Sequence, residues 1–274
     1  MRKRGWWIAG VAAIAAASAM LAYMHGLALA DPVVRQLRYA APGWPAGTPP
    51  LRIVLLTDLH VHDLGASRAR IARVVRQANA LAPDIVLLGG DLVGGSVQDR
   101  PAETPDALAP LRALRPRLGS VAVLGNHDHW SEPERIRAAL RAMRITVLDN
   151  AAVRLGPLTI GGVDDVWTHH ADVPRTLAAM RALGRPSILL SHGPDVFADQ
   201  RVTGLVLAGH THCGQVVLPL LGAIAVPLRQ GRRYVCGVFR EPGRMLVVSA
   251  GIGTSRLAVR LGAPPDLWLI EIGS

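Results

Sequence analysis

Cysteine and lysine are almost missing from this 274-residue chain. The two cysteines, Cys213 and Cys236, form neither a CxxC motif nor a zinc-ribbon spacing, which excludes those metal and redox motifs. They are expected to be two unpaired thiols, although a disulfide stays open for an exported domain. Lys3 is the only lysine, and the formal net charge of +10 comes from arginines scattered along the chain. Without a basic stripe or tail, no nucleic-acid partner is expected. An anionic substrate or an anionic membrane surface would benefit from the same charge. Charged residues make up only 18% and hydrophobic residues half, so the body is not a disordered chain. No internal repeat is evident.

The charge that is present has a pattern at the N-terminus. Arg2, Lys3 and Arg4 precede an uncharged stretch from Gly5 to Ala30, with Trp6 and Trp7 as interfacial anchors at its near end. That length spans a bilayer as a helix. The basic flank stays cytoplasmic, so the expectation is a single-pass inner-membrane anchor with a periplasmic or extracellular body. A cleaved signal peptide is the rival, because Ala28-Leu29-Ala30 before Asp31 has the small-x-small form. Asp31 to Pro50 holds five prolines and reads as an extended linker. The expected map is an anchor over 1–30, a linker over 31–50 and a globular domain over 51–274.

The domain opens with the apolar run Leu51–Thr57, a buried strand. Ser67 caps a helix whose apolar positions Ile71, Val74, Val75, Ala78 and Leu81 keep helical spacing, and Pro83 stops it. Strands over Ile85–Leu88 and Val121–Leu124 follow, with a helix around Ala107–Leu114 between them. This β-α-β-α-β order implies parallel strands with helical crossovers. A helix over Pro133–Met143, strands at Ile145–Leu148 and Leu158–Gly162, a helix near Val173–Leu183 and strands at Ser187–Leu190 and Leu205–Ala208 continue the pattern. The last stretch, with strands near Tyr234–Phe239, Met245–Ser249 and Leu267–Ile272, should add antiparallel strands. A two-sheet sandwich flanked by helices accommodates both halves.

Five polar clusters each follow directly on an apolar run: Asp58-Leu59-His60, Gly90-Asp91, Gly125-Asn126-His127-Asp128, Ser191-His192-Gly193 and Gly209-His210-Thr211-His212. Each therefore falls at a strand end, on one rim of a sheet. Asp58 and His60 are alternate residues, which a strand directs to one face. Asp91 follows two glycines that allow close approach, and its two oxygens suit a bridge between metals. Asn126 offers a neutral carbonyl oxygen, and His192, His210 and His212 offer imidazoles. Asp, Asn and His without cysteine suit two divalent metals of intermediate hardness: Mn, Fe, Zn and Co all qualify. Two such metals about 3.5–4 Å apart are a standard device for attack on a phosphate ester.

These clusters resemble the calcineurin-like metallophosphoesterase superfamily, over about Leu51 to Gly273. The resemblance implies an α/β fold, the four-layer α/β/β/α sandwich. It implies that Asp58, His60, Asp91 and His212 hold one metal and that Asp91, Asn126, His192 and His210 hold the other, with Asp91 bridging. A hydroxide held between the metals would then attack phosphorus. His127 would contact the phosphate and stabilise or protonate the leaving oxygen. Asp128 would orient His127, or else only cap the segment that follows. His62 and His129 are read as surface residues or residues behind the ligands, with lining of the pocket as the alternative, and Trp167-Thr168-His169-His170 reads as a loop over the site.

More narrowly, the anchor, the Pro-rich stretch, the block Ala208–Gln215 and the tail from Gly251 through Arg260 to Pro265 look like the bacterial membrane-associated metallophosphoesterases. Some of these are UDP-2,3-diacylglucosamine pyrophosphatases of lipid A synthesis. Cys213 departs from that group, which usually has Gly there. The expected substrate is a phosphodiester or pyrophosphate in a lipid-linked molecule, with the membrane as the other partner and no protein partner implied. Hydrolysis of soluble nucleotides is the alternative, and a basic binding module on the same fold the nonenzymatic one. The uncharged, proline-broken segment Val216–Val226 is read either as a lipid-touching loop beside the site or as a core hairpin.

Overall fold

The computed structural model describes residues 2–61, 66–94, 104–227 and 233–274; His62 lies outside them. Among the described residues the elements run α1 (Arg2–Leu29), β1 (Val33–Ala40), β2 (Leu51–Leu56), α2 (Arg68–Ala80), β3 (Ile85–Gly89), α3 (Thr104–Leu108), β4 (Gly119–Val123), α4 (Asn126–Trp130), α5 (Pro133–Ala142), β5 (Ile145–Val147), β6 (Ala151–Leu155) and β7 (Leu158–Val163). They continue as α6 (Val173–Leu183), β8 (Ser187–Ser191), β9 (Gly204–Ala208), β10 (Val217–Leu218), β11 (Gly222–Ala223), β12 (Gly237–Glu241), β13 (Arg244–Val248) and β14 (Asp266–Gly273). Short 3-10 turns occupy Ala109–Ala113, Pro194–Ala198 and His212–Gly214.

The strands form two six-stranded sheets, ordered β1-β14-β2-β3-β4-β5 and β12-β13-β9-β8-β7-β6, beside the small hairpin β10-β11. Alternation along each strand divides the apolar runs between two cores. Ile53 and Leu55 of β2 and Ile85 and Leu87 of β3 face the second sheet, where they meet Ile188, Leu190, Leu205 and Leu207. Val54, Leu56, Val86 and Leu88 face outward onto Ile71, Val74 and Val75 of α2 and Ile136 and Leu140 of α5. On the far side of the second sheet, Leu189, Val206 and Leu246 pack on Met180 of α6 and on Phe197. The result is the expected α/β/β/α order of layers. Ser67 caps α2 as expected, its hydroxyl accepting from the Arg70 amide.

Strand direction decides where the site lies. β2, β3 and β4 are parallel, and so are β7, β8, β9 and β13. Their C-terminal ends share one rim, the place where open α/β sheets carry their sites. β14 runs antiparallel to β2, and β1 runs parallel to β14. The N-terminal ends of β1 and β14 therefore lie at that same rim, with Val33 opposite Asp266 and Trp268 opposite Leu55.

Three expectations need correction. Asp31–Pro50 is not a linker throughout: Val33–Ala40 is strand β1, an edge strand paired along its length with β14. Its alternation is hidden because an edge strand presents mostly exposed side chains: Leu37 is buried in the inter-sheet core and Tyr39 packs against it half-buried. The helix around Ala107–Leu114 is instead α3 followed by a 3-10 turn with Pro110 near its start. The C-terminal strands are not all antiparallel, since β13 joins β9 in parallel. Strand β6 had no expectation at all.

If β1 is part of the sheet, trimming Leu37 should loosen the domain. Leu37→Ala is expected to remove about 2 kcal/mol and to lower the Tm by about 4–8 °C, read by thermal unfolding of the full chain in detergent. An unchanged Tm would return this segment to the status of a linker.

Candidate metal centre

At the shared rim the chain leaves regular strand geometry in a way that concentrates on the polar clusters. Asp58, His60, Asp91, His210 and His212 all have positive φ, between 47° and 69°. Each costs of order 1–3 kcal/mol for a residue with a Cβ, so neighbouring structure must hold it. The loops after β2 and β3 stay zipped beyond the strand ends: the Asp58 amide donates to Gly90 O and the His60 amide to Asp91 O, both at 3.0 Å. The Asp58 carbonyl accepts from the Gly253 amide at 2.7 Å, and the Asp58 carboxylate accepts from the His210 amide at 3.1 Å. The alternate residues Asp58/His60 and His210/His212 do converge, but through left-handed backbone rather than a strand's pleat. Gly90 has φ +83°, and a Cβ there would sit 2.7 Å from Gly125 N and 2.8 Å from His192 Nδ1. A Cβ on Gly125 would collide with the Asp91 carboxylate.

Seven side chains meet in this frame. His60 Nε2 and His212 Nε2 are 3.1 Å apart, and His212 Nε2 lies 3.7 Å from Asp58 Oδ1. A second group gathers around His192 Nε2, which is 3.0 Å from His210 Nδ1, 3.1 Å from Asn126 Oδ1 and 3.3 Å from Asp91 Oδ2. The same Asp91 oxygen is 3.5 Å from His60 Nε2, so Asp91 touches both groups. All seven residues are buried. His192 Nδ1 donates to Gly89 O at 2.9 Å, which turns Nε2 toward its partners, the usual backing of a ligand histidine.

The donor set fits two divalent cations. Carboxylate oxygens and imidazole nitrogens converge in two buried groups, Asp58/His60/His212 and Asp91/His192/His210, the donor types that such cations take. Burial pushes His210 down to about 3, helped by the His192 charge, and burial likewise holds His212 well below its ordinary value. These two imidazoles are thereby held toward the neutral form that metal binding requires, whereas burial of His192 is outweighed by the Asp91 carboxylate, which holds it well above its ordinary value. Burial opposes the charge on Asp91, yet His192 and His60 outweigh it and hold this carboxyl well below the usual range.

The other expected residues fall around this centre. His127, half-buried, lines a cavity of about 560 Å³ that also exposes Asp91, Asn126, His210 and His212. Its ring meets His60 edge-on at 4.8 Å and Trp130 at 5.1 Å. Trp167 lines the same cavity, as expected of the loop over the site. His129 stands behind it, 2.7 Å from Asp164 and stacked on His170 at 4.1 Å.

The Asp128 carboxylate, expected either to orient His127 or to cap the following segment, is engaged by backbone amides. Its Oδ1 accepts from the Leu92 and Val93 amides at 2.9 and 3.0 Å, and its Oδ2 from the Gly125 amide at 2.9 Å. At the start of α4 the carboxylate turns inward to unpaired amides, and it locks the Asp91 loop to the Asn126 loop. Burial, reinforced by the Asp91 charge, pushes Asp128 up to about 6.

The cysteines correct an expectation. Cys213 and Cys236 form a disulfide, with Cα atoms 4.7 Å apart. The chain between them folds back so that Thr211 Oγ1 donates to Val235 O at 2.6 Å, a proximity that 23 residues of separation does not reveal. The bond thus pins the backbone one residue beyond His212. Arg260, named from the sequence only as part of the family-like tail and without a role, is fully buried and donates to the carbonyls of Ala250, Gly251, Gly253 and Ala263. It holds the turn that packs under Asp58 and His60.

Two outcomes follow from this geometry. Asp128→Asn should lose about 1–3 kcal/mol of stability, because one amide faces an NH2 group instead of an acceptor. It should leave the pH profile of activity in place, whereas an orienting partner of His127 would shift that profile. Reducing the disulfide, or Cys213→Ser with Cys236→Ser, should release a 23-residue loop, a loss of about 3 kcal/mol. Metal content after dialysis should fall with it; full retention would show that the bond is not needed at the centre.

Comparison with known proteins bears on the same residues. The family model for calcineurin-like phosphoesterases matches residues 51–214, a span containing every expected ligand. An uncharacterized metallophosphoesterase of Helicobacter pylori is 30% identical over 231 residues, covering 81% of this chain and 60% of that protein. The chain thus spans under two thirds of that relative's length. A Danio rerio protein described as a transmembrane protein with metallophosphoesterase domain is 30% identical, covering 81% of this chain and 53% of its own. Phosphodiesterase YaeI of Escherichia coli is 29% identical, covering 99% of this chain and all of that protein. By the family model and by identity across four-fifths of its length, the chain belongs to the calcineurin-like phosphoesterase family.

Proposed function

We propose that this protein is a membrane-anchored, metal-dependent hydrolase of phosphodiester or pyrophosphate bonds, acting on a lipid-linked substrate. The observation that carries the reading is the pair of buried donor groups sharing the Asp91 carboxylate. In this reading Asp58, His60, Asp91 and His212 hold one divalent cation, and Asp91, Asn126, His192 and His210 hold the other. When bound, the pair supplies Lewis-acid polarisation of a phosphoryl oxygen and activation of water. The two carboxylates only partly neutralise such a pair, so the centre stays positive and attracts phosphate.

The chain's own residues do the rest. His127 lines the cavity beside Asp91, and its amide donates to Asp91 Oδ1 at 2.8 Å, which fixes the bridge and the catalytic histidine together. Its ring is placed to give a proton to the leaving oxygen. Trp130, Trp167 and the apolar side chains of Val216, Ile224, Ala225 and Val226 narrow the cavity and limit water. No nucleophilic side chain is required, so no covalent enzyme intermediate is expected.

Support for the membrane comes from α1, long and apolar enough to cross a bilayer and bare of packing over most of its length. The relative from Danio rerio is named a transmembrane protein. The basic flank at Arg2–Arg4 favours a cytoplasmic N-terminus, and the Cys213–Cys236 disulfide favours a domain in an oxidising compartment. Both support a catalytic domain on the periplasmic or extracellular side. The exposed apolar side chains of the 216–226 hairpin support a lipid-linked substrate over a soluble nucleotide.

The test is purified full-length protein in detergent, reloaded with Mn and offered phosphomonoesters, phosphodiesters and pyrophosphates, soluble and lipid-linked, UDP-2,3-diacylglucosamine among them. Hydrolysis of a diester or pyrophosphate, abolished by chelation and by Asp91→Ala, is the expected result. Asp91→Ala should also release both metals, since it removes the shared ligand. Inactivity against the whole panel, or an active Asp91→Ala variant, would overturn the proposal.

A further inference from the structure

We infer that the mouth of the metal centre rests on the bilayer itself: the hairpin β10-β11 and Leu257 sit in the interfacial layer beside the exit of α1, and the cavity opens onto the lipid surface. This deepens the reading of a membrane-anchored hydrolase and rests on α1 being a membrane span.

Topology supplies the first argument. Since β1 starts at the rim where β2, β3 and β4 end, the helix that feeds β1 leaves the domain on the side of the metal centre. Had β1 paired in the other direction, α1 would leave from the opposite rim.

The second argument is the absence of slack. The end of α1 is docked, not tethered. The Arg260 amide donates to Met24 O at 2.9 Å, His25 Nδ1 donates to Ala258 O at 2.8 Å, and Arg70 Nη2 donates to the carbonyls of Ala28 and Ala30. Gln77 Nε2 takes Pro32 O, and the sheet begins at Val33. From Trp6 to Tyr23 the helix is exposed, a length of roughly 27 Å against a hydrocarbon core of about 30 Å. The bare part of the helix is used up in crossing, so the surface it docks on lies at the headgroups.

That surface continues without a break into the cavity wall. Leu257, one residue from the helix contact, is exposed. Its carbonyl accepts from Gln215 Nε2 at 2.9 Å, and the Val217 amide donates to Leu261 O at 2.8 Å. The hairpin that begins there carries no charge between Val216 and Val226. Leu220 and Leu221 at its tip are wholly or largely exposed, and Ile224 behind them turns to the cavity. Exposed leucines at a hairpin tip, beside a helix exit, match an interfacial surface and not a core hairpin. Arg256, also exposed and lining the cavity, adjoins Leu257 and puts a cation at the level of anionic headgroups. An amphiphile would then reach the metals by moving its head group sideways, with its acyl chains left in the leaflet.

The experiment separates this inference from the hydrolase reading. Full-length protein carrying Leu221→Cys or Leu257→Cys is labelled with an environment-sensitive fluorophore and reconstituted into phosphatidylcholine/phosphatidylglycerol vesicles with or without shallow doxyl-lipid quenchers. A label at Gln200→Cys, just before β9 on the opposite rim, is the control. Quenching at 221 and 257 but not at 200 is expected, whether or not the protein hydrolyses anything. Equal quenching at all three, or none at 221 and 257, overturns the inference even if hydrolysis is found. In parallel, Leu220→Ser with Leu221→Ser should weaken hydrolysis of a vesicle-embedded diester by about tenfold, roughly 1.4 kcal/mol of lost interfacial binding, while keeping the rate on a soluble diester. Equal loss on both also counts against it.

Discussion

The Asp91 carboxylate sits where the two sheets meet, and the rest of the centre is arranged around it. It contacts histidines from the loop after β2 and from the end of β8, and it accepts the amide of His127 from α4. A carboxylate so deeply buried is unfavourable unless positive charge surrounds it. That requirement explains the left-handed backbone at Asp58, His60 and Asp91 and the glycines that leave no room for a Cβ.

Supporting contacts run outward from this centre in two directions. Asp128 ties the Asp91 loop to the start of α4, while the disulfide and Arg260 tie down the His212 and Gly251–Gly253 turns. Arg260 also reaches the end of α1 through its amide. The N-terminal helix and the turns around the candidate metal centre therefore share one residue. A domain held this closely to α1 has little freedom of orientation, and in the proposed membrane reading the cavity would face the lipid.

Much of this was legible in the residues. Continuous apolar runs such as Ile53–Leu56 and Ile85–Leu88 announced buried parallel strands, and a polar cluster after each run announced the rim. Asp58, His60, Asp91, Asn126, His192, His210 and His212 do come together. Less legible were features whose signal is not local. Strand β1 is an edge, so its side chains are largely exposed, and the prolines that flank it, Pro32, Pro42, Pro45, Pro49 and Pro50, dominate the reading. Cys213 and Cys236 meet only because the chain between them folds back. Asp128 could be read as a partner for its neighbour His127 or as a cap, because sequence adjacency says nothing about which way a carboxylate turns at a helix start.

The sequence by itself determined the chemistry: the kinds of donor atoms, their order along the chain and their position after strands follow from composition and hydrophobic patterning, which are local properties. Only the tertiary structure decided which donors share Asp91, that Asp128 serves the backbone, that the cysteines join, and that the helix leaves from the rim of the metal centre. Those outcomes depend on strand direction and pairing between segments distant in sequence, which residue patterns do not encode one segment at a time.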